Sequence, residues 1–309
     1  MTTTSPQTPP AERSTTGPFW LAIAMVVVTT VTILWGAMTT STGSGLAFTD
    51  WPLSDGKLMP ERSLTTMPGF LEHFHRIFGA IAGLLALWLA IWLQKGQLGD
   101  AKARKTAWFG GCLILAQGLF GGIGVRLELP VFTSVVHGTL AQITLATFTW
   151  IAYQLSDRYG RTAPAEGVAP GSGRKLAMFA LLFLIVQTIV GAIARHSNSP
   201  HALWTHVGNA FVVFLVATIA TGFSIGRMGD TPGIRGVARA IVLLLILQIA
   251  LGFVALAVRN SAGKTPENVA NLGTASLISS HVLIGAMLTA LMAALAAHVY
   301  RATRIPDPS

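Results

Sequence analysis

The chain has 309 residues, of which 52% are hydrophobic and only 11% are charged, and its mean hydropathy is +0.60. A soluble domain usually carries about 25% charged residues. The composition therefore excludes an ordinary soluble domain and favours a membrane protein, in which buried charges are costly. The formal net charge of +9 does not indicate a nucleic-acid-binding protein, because Lys and Arg lie in short segments between apolar runs rather than on one basic face.

Eight apolar runs are long enough to cross a membrane, for which about 20 residues are needed. They follow a Ser-, Thr- and Pro-rich tail, residues 1–17, that we predict to be disordered. The predicted spans lie near residues 18–40, 71–94, 107–126, 132–154, 175–195, 202–226, 237–258 and 276–299. Continuous runs of this length are typical of helices and not of the short alternating strands of a β-barrel. The predicted fold is an all-α integral membrane protein with eight transmembrane helices.

The distribution of basic residues predicts the orientation of these helices. Alternate segments, beginning with the N-terminal tail, contain about two thirds of the 21 Lys and Arg residues. Because short cytoplasmic segments collect Lys and Arg, we predict a multi-pass protein of the cytoplasmic (inner) cell membrane with both termini on the cytoplasmic side. Two of the outer loops, 41–70 and roughly 259–275, are long.

Each even-numbered span carries a histidine near its outer end: His75, His137, His206 and His281. Each lies about four or five residues into its predicted span, so the imidazoles should lie roughly 6–8 Å below the outer helix ends. A single histidine there is usually a packing or interfacial residue, but packing gives no reason for four at one depth. Two pairs of axial histidines could hold two haem irons inside helix bundles. A bare zinc or copper site is disfavoured because no second cysteine or carboxylate cluster accompanies them. The other histidines, to which we assign no axial role, are His73, His196, His201 and His298.

The odd-numbered spans share a pattern, Gln-x-x-x-Gly followed by an arginine one or two turns later. The three copies are Gln117, Gly121 and Arg126; Gln187, Gly191 and Arg195; Gln248, Gly252 and Arg259. The first span has Gly36 but Thr40 in place of an arginine. Residues 18–154 and 175–299 are therefore predicted to be two four-helix bundles related as a parallel repeat. A cytoplasmic linker, 155–174, joins them, and a cytoplasmic tail, 300–309, follows.

Charged residues near the histidines suggest further contacts. Arg126 and Arg259 lie at the outer level, and since arginine binds carboxylates in a bidentate manner, we predict that they contact haem propionates. Snorkelling of the side chain to the interface would also explain either one. Glu72 lies three residues before His75 on the same helix face, although a helix dipole alone would stabilise it there. The corresponding residue of the sixth span is Leu203, which indicates that the two halves have different tasks.

Together these residues resemble the haem A synthase family, the bacterial enzymes and mitochondrial homologues that convert haem O to haem A. The resemblance extends over nearly all of residues 18–299. Its motifs are Thr42–Leu46 (TGSGL), Asp50–Pro52 (DWP), Glu72-x-x-His75-Arg76, Gln117–Arg126 with His137-Gly138, His206-x-Gly-Asn209 and Ser279-Ser280-His281. The resemblance implies a two-step oxygenation of the methyl group on pyrrole ring D to a formyl group, which supplies haem A to terminal oxidases.

The resemblance also implies roles for individual residues. His75 and His137 would bind the substrate, haem O, in the N-terminal half, and His206 and His281 would bind a haem b that relays electrons. Glu72 would be catalytic, in proton delivery or positioning, and Arg76 would belong to the cofactor-binding set. The implied partners are the farnesyltransferase that makes haem O, a quinol or ferredoxin-like electron donor and membrane lipid, and a homo-oligomer is compatible with the family.

Two features depart from that family. Many bacterial members have a cysteine pair in the first outer loop, where this chain has Phe48, Thr49 and Ser54; its one cysteine, Cys112, lies in a predicted helix. The arginine that usually precedes TGSG is Thr40 here, which weakens any propionate contact from the first span.

Two other functions would use the same histidines. A di-haem, quinol-linked cytochrome would keep both haems permanently, and a transporter would use the histidines as a proton relay. Glu72 and the first-loop motif occur in one half only, which favours the enzyme. A proton relay would run across the membrane, whereas these histidines lie along one plane.

Overall fold

The computed structural model describes residues 14–165, 170–197, 199–261 and 272–303, and within these ranges the chain forms ten helices. They are α1 (Thr16–Ser41), α2 (Arg62–Thr65), α3 (Met67–Gly96), α4 (Ala101–Arg126), α5 (Val131–Leu155), α6 (Asp157–Arg161), α7 (Pro170–His196), α8 (Pro200–Met228), α9 (Ile234–Ser261) and α10 (Leu272–Ala302). All but α2 and α6 are long and apolar enough to cross a membrane. The predicted all-α fold with eight spans is confirmed.

Most of the spanning helices begin several residues before the apolar runs that predicted them. Three of these extensions begin at polar caps: Thr66, Asp100 and Ser199 accept hydrogen bonds from backbone N–H groups in the first turns of α3, α4 and α8. A cap satisfies amide donors that have no partner within the helix, so the helix starts at the cap rather than at the first apolar residue. The first helix of each half also begins early: α1 begins within the predicted N-terminal tail, and α7 begins within the predicted linker.

The eight long helices pack as two rings of four. In the first half α1 contacts α3, α3 contacts α4, α4 contacts α5, and α5 closes the ring on α1. In the second half α7, α8, α9 and α10 repeat the same order of contacts. The halves meet through α1 with α10, α5 with α10, and α5 with α7. Exchanging the two halves leaves this set of contacts unchanged, which is consistent with the predicted parallel repeat.

Each half has its own apolar core in the part of the bundle away from the histidines. Leu89, Leu93 and Phe148 are fully buried in the first core, and Ile241 and Met292 are fully buried in the second. A smaller cluster, formed by Ile33, Leu145, Ala286 and Ala290, joins α1, α5 and α10. Small side chains at this junction let the central helices approach closely, which is how helices associate in a lipid solvent.

Candidate functional site

The structure brings His75 of α3 and His137 of α5 together inside the first half. Their ring centroids are 6.1 Å apart and the ring planes make an angle of 79°. Both residues lie in the second or third turn of their helices. Because α3 and α5 are on opposite corners of the ring of four helices, the two imidazoles meet across its interior and do not face lipid.

The second half contains a matching pair. His206 of α8 and His281 of α10 have ring centroids 6.2 Å apart and planes at 82°. These helices also occupy opposite corners of their ring. The two pairs therefore share spacing, ring angle and position in the bundle.

The spacing of both pairs fits a metal between the rings. A metal bound by two imidazole nitrogens at about 2.0 Å each would hold the ring centroids about 6 Å apart. Within the described residues there is no cluster of three or more His, Cys, Asp or Glu side chains that could hold a bare ion. Further ligands would have to come from the bound group itself, as the four nitrogens of a porphyrin do.

Backbone carbonyls orient the rings of the first pair. Nδ1 of His75 donates to the carbonyl of Thr32 at 3.2 Å, and Nδ1 of His137 donates to that of Gln117 at 3.0 Å. A carbonyl can only accept, so the proton is on Nδ1 and Nε2 is the nitrogen available to a metal. In the second pair, the Nδ1 atoms of His206 and His281 are buried, and neither has a hydrogen-bond partner within the described residues.

A glycine on the preceding long helix makes room for each of the four imidazoles. The pairs are Gly36 with His75, Gly121 with His137, Gly191 with His206 and Gly252 with His281. A Cβ atom at these glycines would lie 2.7, 3.0, 2.7 and 3.2 Å from the Cε1 atom of the facing ring. These four glycines thus have the same structural reason. A Cβ atom at Gly36 or Gly191 would clash with the facing ring, and one at Gly121 or Gly252 would press tightly against it.

The glutamines of the repeat also lie at the histidines, although the sequence alone assigned them no role. The side-chain amides of Gln117 and Gln248 are each 3.3 Å from Nε2 of a histidine, His137 and His281 respectively. Gln187 instead donates to the backbone carbonyl of His206 at 2.9 Å. Their recurrence four residues before each glycine, one helical turn away, was the signal that could have indicated this contact.

Arg76 and Glu72 hold the first outer loop against α3. The Arg76 guanidinium donates to the carbonyls of Phe48, Asp50 and Leu53 at 2.9, 2.8 and 2.6 Å and forms an ion pair with Glu72. The Glu72 carboxylate is buried and accepts the backbone N–H of Phe48 at 2.9 Å. Both predicted site residues thus contact the loop, and their contacts to a bound group remain predictions.

The loop has a defined internal structure. The Asp50 carboxylate accepts the N–H groups of Asp55 and Gly56 at 2.9 and 2.8 Å, and these hydrogen bonds, that of Gly56 above all, hold the pKa of Asp50 below its usual value. Ser54 hydrogen-bonds to His73 at 3.0 Å. His73, to which the sequence assigned no axial role, is therefore a loop contact.

Two further arginines of the repeat have protein partners. Arg126 donates to the carbonyl of Trp51 at 3.2 Å. Arg195 reaches from α7 to the end of α1, where it donates to the carbonyl of Ala37 at 2.8 Å and to Ser41 at 2.7 Å. The side chain of Arg259, which was predicted with Arg126 to contact a propionate, lies outside the described residues.

The chain matches one sequence family, described as cytochrome oxidase assembly protein (COX15-CtaA), over residues 19–212. It is also similar to proteins named "Heme A synthase". The one from Symbiobacterium thermophilum is 26% identical over 235 residues, which cover 74% of this chain and 73% of the relative. One from Staphylococcus epidermidis is 25% identical over 261 residues, covering 75% and 83%. One from Brucella ovis is 29% identical over 147 residues, covering 44% and 40%.

Proposed function

The chain belongs to the COX15-CtaA family of cytochrome oxidase assembly proteins, and from this premise we propose that it is a haem A synthase. It is an oxidoreductase of the membrane that converts haem O to haem A by oxidising the ring-D methyl group to a formyl group. The observation that carries the proposal is the pair of 6.1 and 6.2 Å imidazole spacings inside two equivalent bundles.

We assign the substrate to the first half and a retained haem b to the second. His75 and His137 hold haem O in this assignment, and His206 and His281 hold haem b. It is supported by the first outer connection of each half: residues 42–66 join α1 to α3 and include the loop that Glu72 and Arg76 hold, whereas only residues 197–199 join α7 to α8. A substrate site needs a boundary that controls access, whereas a site for a permanent cofactor does not.

The chain's own residues bind and orient in this mechanism. When bound, the haem iron supplies the oxygen-activating and electron-transfer chemistry. The Nδ1 hydrogen bonds to the carbonyls of Thr32 and Gln117 fix the orientation of the His75 and His137 rings and leave the lone pair on Nε2 to bind the iron. Glu72 and Arg76 hold the first outer loop against α3. In this proposal the loop keeps outer water from the site, which strengthens electrostatic interactions inside. Glu72 is our candidate catalytic residue, and its contacts to Phe48 and Arg76 favour positioning over direct proton delivery.

The remaining arrangement follows from the orientation of the spans. We propose that both termini are cytoplasmic and that the protein lies in the cytoplasmic (inner) membrane, with the four histidines near the outer face. The partners would be the farnesyltransferase that supplies haem O and a quinol or ferredoxin-like electron donor. Arg126 and Arg259 stay predicted contacts of the haem propionates, and Arg76 stays a predicted member of the cofactor-binding set.

Haem extraction tests the function. Coexpression with a source of haem O and active electron donors should yield haem A, and His75→Ala or His137→Ala should abolish the conversion by removing a ligand. His206→Ala or His281→Ala should remove the low-spin spectrum of the retained haem b. His201→Ala, an exposed histidine at the start of α8, serves as the control. Unchanged haem O with both haems retained would instead favour the di-haem cytochrome.

A further inference from the structure

A partly open cavity of about 510 Å³ lies between the two halves, at the ends of the helices opposite to the four histidines. Its walls come from the start of α1, the ends of α5 and α10, the start of α9 and the connection that contains α6. A volume of this size is within the usual range for small-molecule sites, about 300–1,000 Å³. None of the residues assigned to the haem sites lines it.

The lining of the cavity is amphipathic. Apolar side chains, among them Phe19, Ile23 and Ala294, line its interior, and the charged side chains at its mouth are Arg158, Arg161 and Asp157, which together are net positive. Both arginines are exposed, and within the described residues neither forms an ion pair. The charges at the mouth favour an anion, and the apolar interior favours a hydrocarbon chain.

The cavity also contains a buried polar group without a partner. His298 of α10 lines it, has only 3% of its surface exposed, and has no hydrogen-bond partner within the described residues at either ring nitrogen. Its ring packs against Tyr153, with centroids 4.0 Å apart. A buried polar group without a hydrogen bond costs about 1–3 kcal/mol. An acceptor or donor within the cavity would remove that cost.

The position of the cavity matches the headgroup level of a bilayer. Trp20 lines it and is 63% exposed, and tryptophan is enriched where a helix passes from hydrocarbon to headgroups. Basic pockets between spanning helices on the cytoplasmic side are typical sites for anionic lipid headgroups.

We propose that this cavity binds one anionic phospholipid of the membrane leaflet opposite the histidines. Its phosphate contacts Arg158 and Arg161, the start of an acyl chain occupies the apolar interior, and a polar group of the lipid pairs with His298. Because the walls belong to both halves, the lipid holds the halves together at the end of the molecule that has no haem.

A quinol headgroup could also pair with a histidine, but the depth of the cavity disfavours it. His298 and His281 lie on the same helix, about 25 Å apart at 1.5 Å per residue. An electron donor at that distance from the haem level would transfer electrons slowly. The two arginines at the mouth have no function toward an uncharged quinol, whereas they complement a phosphate.

Native mass spectrometry and thermal unfolding of the purified, haem-loaded protein test the proposal. The probes are phosphatidylglycerol, phosphatidylcholine with the same acyl chains, inorganic phosphate and a short-chain quinol. We expect one phosphatidylglycerol to remain bound and to raise the melting temperature, because only this probe carries both the uncompensated phosphate and the chain. Phosphatidylcholine, phosphate and the quinol should have little effect.

Two double variants and one single variant distinguish a specific site from general attraction to a basic surface. Arg158→Gln with Arg161→Gln should weaken phosphatidylglycerol binding about 25-fold, since each basic residue near an anionic headgroup contributes about a fivefold factor. Lys102→Gln with Lys105→Gln removes the same charge from exposed positions on the same side of the membrane and should leave the affinity unchanged. His298→Leu should weaken lipid binding without lowering the melting temperature of the lipid-free protein.

Four outcomes would overturn the proposal. They are equal binding of phosphatidylcholine, equal losses in the arginine and lysine double variants, full stabilisation by inorganic phosphate alone, and displacement of the lipid by the quinol. Because no probe or variant touches the histidine pairs, failure here is distinguishable from failure of the haem assignment.

Discussion

Glu72 and Arg76 lie four residues apart in one motif, and both side chains bind the same loop. The guanidinium of arginine has five N–H donors in a planar fork, and in Arg76 they reach three loop carbonyls, Ser54 and Glu72. Few donors are left for a propionate. This chain lacks the cysteine pair of many bacterial family members, and the arginine–glutamate pair holds the loop without a disulfide.

Arg76→Lys should loosen this loop, because a single ammonium cannot bridge several carbonyls in a fixed plane. We expect faster limited proteolysis within residues 42–66 and at least tenfold lower conversion of haem O, with haem b retained. Arg62→Lys is the control, since Arg62 pairs with Asp55 in an exposed ion pair of the kind that contributes little. If the loop of the Arg76→Lys variant were cleaved at the wild-type rate, Arg76 would not anchor it.

Glu72→Gln keeps the size of the side chain and removes its charge. We expect both haem spectra to persist and conversion to fall, because a neutral amide holds Arg76 less strongly than a carboxylate does. The measurement is haem A yield beside the haem spectrum of the same preparation. Loss of haem b from the Glu72→Gln variant would contradict the assignment of Glu72 to the substrate site in the first half.

Consecutive long helices meet at glycine–histidine contacts, and this explains why the odd spans carry the glycines and the even spans carry the histidines. In α7 and α8, for example, Gly191 faces His206. Each contact fixes the rotation of one helix relative to the next. The same contact occurs twice in each half, which gives the two imidazole pairs nearly equal spacing.

Gly191→Ala should displace the His206 ring, because the added Cβ would lie 2.7 Å from its Cε1 atom. We expect a several-fold loss of retained haem b per protein, measured by absorbance of the extracted haem. Gly222→Ala in α8, where an added Cβ meets nothing within 4 Å, should keep the haem and favour the helix by up to about 1 kcal/mol. Equal haem content in both variants would refute the contact.

The near-perpendicular ring planes, 79° and 82°, predict a spectroscopic property of the two sites. In a ferric haem, two axial imidazoles at right angles leave the iron dπ orbitals close in energy, so the low-spin EPR spectrum is highly anisotropic. We expect this form for both haems. A rhombic spectrum, which is typical of parallel imidazoles, would show that the rings rotate on binding.

At the scale of the whole molecule, α10 is the central element and α9 is peripheral. In the most apolar stretch of α10, 61% of the residues are buried inside the protein, whereas in that of α9 only 11% are. Near the histidines the halves are also joined by polar contacts: Arg195 of α7 binds Ser41 of α1, which contacts Ser279 of α10 at 3.1 Å. The Arg195 guanidinium therefore lies where the two halves meet: it contacts Ala37, next to the glycine that faces His75, and its own helix carries Gly191, which faces His206.

Arg195→Gln should lower the midpoint potential of the retained haem b, because a nearby positive charge stabilises the reduced, less positive iron. The decrease should be on the order of tens of millivolts, for one charge at roughly 10 Å and an effective dielectric constant of about 20. Redox titration of the haem absorbance measures it. Arg239→Gln, at the opposite membrane face, should not shift the potential, and equal potentials in all three proteins would contradict the assignment.

The eight spans, and a histidine near the start of each even span, could be predicted from the sequence because lipid is a uniform solvent: each helix must satisfy its own backbone and present about 20 apolar residues. The helices α3, α4 and α8 begin before their apolar runs, since their caps at Thr66, Asp100 and Ser199 lie outside those runs. Only the tertiary structure decided what the polar side chains contact. The loop carbonyls at Arg76, and the cavity that joins Phe19, Arg158 and His298, combine residues distant in the sequence, and their proximity depends on how the helices pack.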